Sequence, residues 1–263
     1  MAPREPARHR LADRLVYSKI KDRLGGRLRV GISGGAPLAK EIGELFHALD
    51  VLILEGWGQT ECTTAAAVNR PTRFRFGTVG LPMPNVELRL AEDGEVLVRS
   101  PTIFAGYYKD PEATREVLAP DGWLRTGDVG ELDADGFLTL TDRKKDIIVT
   151  AGGKNVAPQN LENTLKAAKE ISQALVIGDR RPYVTALVTL DPEAGLSPEA
   201  ARPRIQQIVD DVNAGLSRFE QIKRFAVLPR DFSPEEGEVT PTLKLKRRVC
   251  EEHFAAEIEA LYS

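Results

Sequence analysis

The feature that most constrains the fold is a strand–helix–strand pattern near the start of the sequence. Residues 28–32 alternate apolar and other side chains as in a strand, and residues 38–49 carry apolar side chains at helical spacing. The run Val51–Leu54 is wholly apolar, as in a buried parallel strand. Parallel strands joined by one crossover helix send both exit loops to the same edge of the sheet. The loops Ser33–Leu38 and Glu55–Glu61 are therefore expected to face one crevice.

The first of these loops carries a glycine pair, Gly34 and Gly35, followed by Ala36 and Pro37. Proline is favoured in the first turn of a helix, so we place Pro37 there. The glycine amides then lie near a helix N-terminus, where backbone N–H groups bind anions. Two interpretations stay open at this point: an anion site, or two ordinary turn glycines.

A second informative stretch is Trp123–Pro158, in which two acidic–basic signals flank a hairpin with an Asp-Gly turn at 135–136. A tight hairpin brings residues near Asp128 back beside residues near Arg143. A carboxylate there can accept two hydrogen bonds from a ribose diol, and a guanidinium can contact ribose or phosphate. The alternative is a solvated turn with surface charges.

This stretch resembles the adenylate-forming enzymes, most closely the long-chain acyl-CoA synthetases (fatty-acid–CoA ligases). The resemblance rests on Trp-x-x-Thr-Gly-Asp and Asp-Arg-Lys-Lys-Asp in family order, and the matching motifs extend over essentially the whole chain. It implies that Asp128 holds the ribose hydroxyls of ATP or AMP, that Arg143 contacts the nucleotide, and that Lys145 is the pivot of a hinge. It also implies a loop that swings toward the active site for the thioester step: Gly152, Gly153, Lys154 and Asn155.

The same resemblance assigns roles at the sheet edge. The first loop would back the adenine, Trp57 would pack on it in place of the more usual tyrosine, and Thr60 would bind phosphate. Glu61 would hold Mg²⁺, which suits a carboxylate because hard cations prefer oxygen ligands. The implied nucleotide-binding set is Gly34, Gly35, Ala36, Glu55, Gly56, Trp57, Thr60, Asp128 and Arg143.

The segment Thr240–Arg248 places four cations where the last helix is predicted to begin. Positive charge there opposes the helix macrodipole, so the cluster is either functional or a plain basic surface. The resemblance makes Lys244 the adenylation lysine, which bridges the substrate carboxylate and the α-phosphate and joins Glu61 and Thr60 as the catalytic residues. The family often has Gly-Lys here, and Leu243-Lys244 favours the long-chain acyl-CoA branch.

Taken together, the patterns predict a chain of mixed α/β and α+β class with two domains. Residues 1–141 would form a partial α/β sheet unit (27–61) and a small β-barrel subdomain (77–141). A hinge (142–146) would lead to a compact α+β C-terminal domain (147–263). The first ten residues are expected to be irregular, and the Gly-Tyr-Tyr signature at 106–108 is interpreted as structural.

Composition excludes several classes of protein. A net charge of -3 lacks the basic surplus of a nucleic-acid-binding surface. Cys62 and Cys250 form neither a disulfide framework nor a metal-ligand spacing. No apolar run approaches the roughly 18 residues of a spanning helix, and no signal-peptide pattern opens the sequence. We expect a cytoplasmic protein whose membrane contact, if any, is peripheral, and the oligomeric state stays open.

The function implied by the resemblance is acid–thiol ligation with ATP, Mg²⁺ and CoA, in which a fatty acid becomes an acyl-adenylate and then an acyl-CoA. The family's Ser/Thr/Gly-rich phosphate loop ending in Pro-Lys is not in these 263 residues, and family members are much longer. We therefore expect little or no ligase activity from this chain alone. Two alternatives stay open: a non-catalytic nucleotide- or partner-binding remnant, and an acyl ligase that loads a carrier protein.

Overall fold

The computed structural model describes residues 6–240 and 244–263, and the chain divides into two compact units, one up to Leu140 and one from Thr141. The predicted mixture of α/β and α+β architecture is confirmed. The domain limits and the hinge at 142–146 stay predictions. Within the described ranges, every helix is too short or too polar to cross a lipid bilayer.

Helical structure opens the described chain. Helix α1 spans Pro6–Ala12, a single π-helical segment follows at Asp13–Tyr17, and α2 spans Ser18–Arg23. The helix ends before a Gly-Gly pair whose φ angles are +88° and +67°, a conformation that favours glycine. The expectation of an irregular start is wrong from Pro6 onward, because the helical pattern extends back to that residue; residues 1–5 lie outside the described ranges.

The first sheet has four strands in the order β1-β2-β3-β4, which are Val30–Ser33, Leu52–Gln59, Thr64–Val68 and Leu81–Pro82. Strands β1 and β2 are parallel and are joined by helix α3, Lys40–Ala48, as the sequence predicts. Strand β2 is longer than predicted because its second half pairs antiparallel with β3. Residues 55–59 are therefore strand residues and not part of an exit loop.

Helix α3 begins later than predicted and buries less. Its N-cap is Ala39, so Pro37 lies before the first turn, and the Leu38 amide is bonded by the Glu55 carboxylate at 2.9 Å instead of entering the helix. Its apolar residues are partly solvent-exposed, since Ile42 and Leu45 are 42% and 58% exposed. The helix instead turns Gly43, its one buried residue, toward the ring of Phe76.

The second sheet of this unit is a curled half-barrel of four strands in the order β5-β6-β7-β8, which are Glu87–Leu90, Glu95–Arg99, Leu124–Leu132 and Leu138–Arg143. The expectation of β structure throughout 77–141 is wrong at α4, Pro111–Val117. The Asp110 side chain accepts a hydrogen bond from the Ala113 amide, and Pro111 occupies the first helical position. This Asp-Pro start signal is readable in the sequence.

The second unit is the predicted compact α+β arrangement. A two-stranded hairpin comes first, β9 (Ile148–Val149) and β10 (Asn155–Val156), followed by helix α5 (Pro158–Lys166). A three-stranded sheet is formed by β11 (Ile171–Ile177), β12 (Val184–Leu190) and β13 (Ile222–Val227). The long helix α6 (Pro198–Ala214) lies between β12 and β13 in sequence.

The sheet of the second unit is buried on both faces. Alternation along β11 sends Ala174 and Val176 into the core that contains α5 and α6 residues, and Leu175 and Ile177 into a second core. The second core receives the terminal helices, α7 (Arg247–His253) and α8 (Ala255–Ala260). The single last helix predicted from the sequence is thus two helices that meet at Phe254.

Candidate active site

Strand β2 and strand β7 bring three predicted or adjacent site residues together. Trp57 and Gln59 are two positions apart on β2 and so lie on the same face of the strand. The Trp57 Nε1–H donates to Asp128 Oδ2 at 2.7 Å, and Gln59 Nε2 donates to the same oxygen at 3.0 Å. Gln59 Nε2 also donates to the Thr126 carbonyl at 2.7 Å. The predicted convergence of the Trp57 motif with Asp128 is present.

The Asp128 carboxylate is held in one orientation. Asp128 is 8% exposed, and its own amide donates to Thr126 Oγ1 at 3.1 Å. Two donors on one carboxylate oxygen are charge-assisted hydrogen bonds, which are stronger than bonds between neutral groups. A carboxylate fixed in this way is preorganised to accept hydrogen bonds from a ligand. Gln59, which sequence reasoning did not assign, belongs to this group and could have been found from its spacing to Trp57.

The tryptophan ring itself is part of the hydrophobic core. Trp57 is 7% exposed and clusters with buried residues that include Cys62, Val96 and Leu138. Burial raises the pKa of the Cys62 thiol to about 11, so this cysteine is a neutral, unreactive core residue. The structure therefore shows Trp57 as a hydrogen-bond donor to Asp128. Packing of its ring on adenine stays a prediction.

The loop after β1 lies beside the continuing strand β2, and not beside a second exit loop as predicted. Ser33 of β1 is in register with Glu55 of β2, and Glu55 Oε1 accepts the Leu38 amide hydrogen at 2.9 Å. Burial raises the pKa of Glu55, and the Leu38 hydrogen bond opposes that shift. A Cβ on Gly34 would lie 3.3 Å from the Gly56 carbonyl, so the loop runs close to β2. Gly35 and Ala36 lie in the same loop, and the nucleotide roles of all five stay predictions.

Glu61 lies in a short 3₁₀ turn, Thr60–Cys62, directly after β2. Its carboxylate accepts a hydrogen bond from the Tyr107 hydroxyl at 2.7 Å, and its carbonyl accepts the Phe104 amide hydrogen at 2.8 Å. This bond raises the pKa of Tyr107. Sequence reasoning missed this contact because the Gly-Tyr-Tyr signature was interpreted as structural.

The carboxylate assigned to the metal, Glu61, suits a Mg²⁺ ion that binds together with nucleotide phosphates. Between 6 and 240 and between 244 and 263, no group of three or more His, Cys, Asp or Glu side chains could hold a metal ion. Mg²⁺ commonly keeps several waters and is bound by one or two carboxylates together with substrate phosphates. Glu61, a single carboxylate, matches that requirement.

In the second unit, the first residue of the predicted hinge is a buried carboxylate. Asp142 is 3% exposed and accepts the amide hydrogens of Gln159 and Arg143 at 3.0 and 2.7 Å. Burial raises the pKa of Asp142, and these two hydrogen bonds oppose the shift. Asp142 thus satisfies an amide in the first turn of α5. Arg143 and Lys145 are exposed and line an open cleft of about 830 Å³ on this unit.

The glycine loop is the tip of the β9–β10 hairpin. Gly153 has φ +70°, and its amide donates to the Thr150 carbonyl at 2.8 Å. Gly152, Lys154 and Asn155 are exposed, and Lys154 Nζ lies 5.9 Å from the centre of the Phe219 ring. The tip is also bonded outside the hairpin, because the Ala151 amide donates to the Arg181 carbonyl at 2.8 Å. Its movement toward an active site stays a prediction.

Lys244 is the first described residue after 241–243, which lie outside the described ranges. The Lys244 amide donates to Thr240 Oγ1 at 3.0 Å, and its carbonyl accepts the Thr240 amide hydrogen at 2.8 Å. An antiparallel bridge joins Val239 and Leu245. The segments 238–240 and 244–247 thus form two hydrogen-bonded stems, and the Lys244 side chain is exposed at the end of one of them.

Each of the two stems is held by a buried carboxylate, Glu238 on one and Glu162 on the other. Glu238, fully buried, accepts two bonds from Arg230 at 2.7 Å and one from His253 at 2.9 Å, and these lower the pKa of Glu238 to about 2. On the other stem, Arg247 donates to Glu162 at 2.6 Å and to the Val176 carbonyl at 2.8 Å. Sequence reasoning missed both anchors.

The predicted site residues thus form two sets, one in each unit. Asp128, Trp57 and Glu61 belong to the first unit, whereas Arg143, Lys145, the glycine loop and Lys244 belong to the second. The approach of both sets to one nucleotide stays a prediction.

Comparisons with known proteins add an independent line of evidence. The family model described as AMP-binding enzyme matches residues 6–108, and that described as AMP-binding enzyme C-terminal domain matches residues 145–263. The long-chain-fatty-acid–CoA ligase FadD15 of Mycobacterium bovis is 45% identical over 98% of this chain and 46% of its own length. The chain spans about half the length of the curated relatives it matches.

Solved structures agree with this match. The adenylation domain of a carboxylate reductase from Mycobacterium chelonae has a TM-score of 0.79 at 31% identity, over 100% of this chain and 43% of that one. The A domain of a carboxylic acid reductase from Segniliparus rugosus, solved with AMP and a co-purified carboxylic acid, has a TM-score of 0.77 at 25% identity over 97% and 45%. Because both regions match in chain order and sequence identity extends along nearly the whole chain, this protein belongs to the AMP-binding, adenylate-forming enzyme family.

Proposed function

We propose that this chain is part of an ATP-dependent long-chain fatty acid–CoA ligase and contributes the nucleotide site and the adenylation lysine. The observation that carries the proposal is the Asp128 carboxylate, held at 2.7 Å by Trp57 and at 3.0 Å by Gln59 beside the edge of the first sheet. A fixed carboxylate at such an edge suits the two hydroxyls of a ribose. The long-chain substrate class is inferred from relatives that carry that name.

In the first step, a carboxylate oxygen of the fatty acid attacks the α-phosphorus of ATP, and pyrophosphate leaves with the electrons of the broken P–O bond. Asp128 would hold the ribose, and Lys244 would bring its ammonium to the developing charge on the carboxylate and α-phosphate. Preorganised contacts of this kind typically contribute ~10²–10³ in rate. Glu61 would hold Mg²⁺, which supplies positive charge to the phosphates when bound.

In the second step, the CoA sulfur attacks the acyl carbon of the adenylate. The bond between that carbon and the AMP oxygen breaks, AMP leaves, and the thiol proton passes to solvent. Lys244 has no role in this step. The hairpin tip Gly152–Asn155 would take its place near the acyl group, in agreement with its exposure and its hydrogen-bonded turn.

A second candidate is a nucleotide-binding protein without ligase activity. It is favoured by the position of the Asp128 site, whose printed contacts all lie in the first unit, whereas Lys244 lies in the second. Under this candidate, the Asp128 site binds AMP, but pyrophosphate exchange is absent.

The test combines AMP binding with fatty-acid-dependent exchange of labelled pyrophosphate into ATP. Exchange that requires palmitate and is lost in Lys244→Ala would establish the ligase reaction. AMP binding without exchange, even at high protein concentration, would favour the second candidate. Failure to bind AMP would refute both.

A further inference from the structure

A tyrosine outside the predicted site contacts the carboxylate that we assign to the metal. The Tyr107 hydroxyl lies 2.7 Å from Glu61 Oε1, and 46 residues separate the two in the chain. An ionised carboxylate only accepts hydrogen bonds, so the tyrosine is the donor. A bond of this kind to a charged acceptor is short and strong.

The loop that carries Tyr107 is itself held in place. The Tyr107 amide donates to Thr114 Oγ1 at 2.9 Å, and its ring packs edge-on against Phe104 with centroids 4.9 Å apart. The Phe104 amide donates to the Glu61 carbonyl at 2.8 Å. Gly106 has φ +139°, and a Cβ there would lie 2.7 Å from Thr114, so glycine permits the close approach. The same short segment therefore fixes both the backbone and the side chain of Glu61.

We propose that Tyr107 is a positioning residue for Glu61: it holds one carboxylate oxygen and leaves the other to face a Mg²⁺ ion bound to nucleotide phosphates. This inference rests on the proposed function. Outer-shell partners of metal ligands orient them, and their loss typically lowers metal affinity or activity by ~10–100-fold. The role is distinct from a contact with substrate, because Tyr107 acts through Glu61.

The surroundings of Tyr107 separate this role from simple packing. Tyr107 is 38% exposed, so its hydroxyl is not needed to satisfy a buried core. Phenylalanine would keep the ring contact with Phe104 and remove only the hydrogen bond to Glu61. The neighbouring Tyr108 is 88% exposed and provides a matched control for loss of a tyrosine hydroxyl.

The experiment measures ATP affinity with and without Mg²⁺ for the parent chain, Tyr107→Phe, Tyr108→Phe and Glu61→Gln. We expect Mg²⁺ to strengthen ATP binding by the same factor in the parent and in Tyr108→Phe. In Tyr107→Phe, that factor is expected to be smaller by ~10-fold or more. Binding without Mg²⁺ is expected to be the same in all four. The double variant Glu61→Gln/Tyr107→Phe is expected to lose no more than Glu61→Gln alone, because the two residues act as one unit.

Two results are decisive against the inference, and they differ in what else they refute. If the parent binds MgATP and Tyr107→Phe binds it equally well, the positioning role is wrong and the proposed function stands. If the parent binds ATP neither with nor without Mg²⁺, the proposed function fails and the positioning role fails with it.

Discussion

Replacing Arg247 by methionine tests how strongly its ion pair with Glu162 holds the segment that follows Lys244. The Arg247 and Glu162 side chains are 17% and 7% exposed, and their ion pair is 2.6 Å long. Removing the guanidinium leaves the Glu162 carboxylate buried with the hydrogen bond from the Val176 amide at 2.8 Å, and it removes the donor to the Val176 carbonyl. Breaking one side of a buried pair typically destabilises a protein by ~3–5 kcal/mol. We expect a loss in that range.

The pH dependence of this loss follows from Glu162. Burial already raises the pKa of Glu162, and Arg247 opposes that shift, so removal of Arg247 raises the pKa further. A carboxyl group whose pKa is higher in the folded than in the unfolded state contributes most to stability at low pH, and this contribution is lost as pH rises. Arg247→Met is therefore expected to be more destabilised at pH 7 than near pH 5.

The assay is urea unfolding followed by far-ultraviolet circular dichroism, with hydrogen exchange at the Val176 amide as a local reporter. Arg248→Met is the matched control, because that side chain is 91% exposed and its pair with Glu252 is a surface contact of little worth. The double variant Glu162→Gln/Arg247→Met is expected to be more stable than Arg247→Met. If Arg247→Met is as stable as Arg248→Met, or if the double variant is less stable than Arg247→Met, the buried Arg247–Glu162 pair does not stabilise the fold in the way described.

Two further predictions concern stability. The pKa of Glu238 is lowered to about 2, so its stabilising contribution is complete above pH 4.5 and is lost as pH falls toward 2. The difference in stability between the parent and Glu238→Gln should therefore narrow over that pH range. The urea midpoint measured at a series of acid pH values checks this. Gly80→Ala should prevent correct folding of the first unit, because φ is +91° and the added Cβ would lie 2.1 Å from backbone atoms. Gly127→Ala has φ +69° and open space around the added Cβ, so its free energy of unfolding should fall by only about 1–2 kcal/mol in the same assay.

The parallel sheet unit could be predicted because its two periodicities and one crossover rule leave few arrangements. The extension of β2 could not, since Glu55–Gln59 contains two glycines and looks like a loop. In the structure, a Cβ on Gly58 would lie 1.7 Å from the Thr64 carbonyl. That glycine therefore serves close pairing with β3, a requirement that depends on the partner strand and is not visible in local sequence.

The contact between Trp57 and Asp128 was expected from local motifs, whereas contacts that depend on tertiary packing were missed. Trp57 and Asp128 each lie in a recognisable motif, and their nucleotide roles stay predictions. Tyr107 and Glu162 were missed because their partners are 46 and 85 residues away, and nothing near them in the sequence marks those contacts. Burial of the partner is what makes each contact strong, and burial emerges only from the folded chain.

AMP titration followed by the fluorescence of Trp57 tests whether Asp128 and Trp57 form a nucleotide site. A Trp123→Phe background leaves Trp57 as the reporter of the two tryptophans. We predict a saturable change in the emission of Trp57 on addition of AMP. The affinity for AMP should be about tenfold to a hundredfold weaker in Asp128→Asn, because hydrogen bonds to a charged acceptor contribute ~1.5–3 kcal/mol. Equal affinity for AMP in the parent and in Asp128→Asn would contradict a ribose-binding role for Asp128.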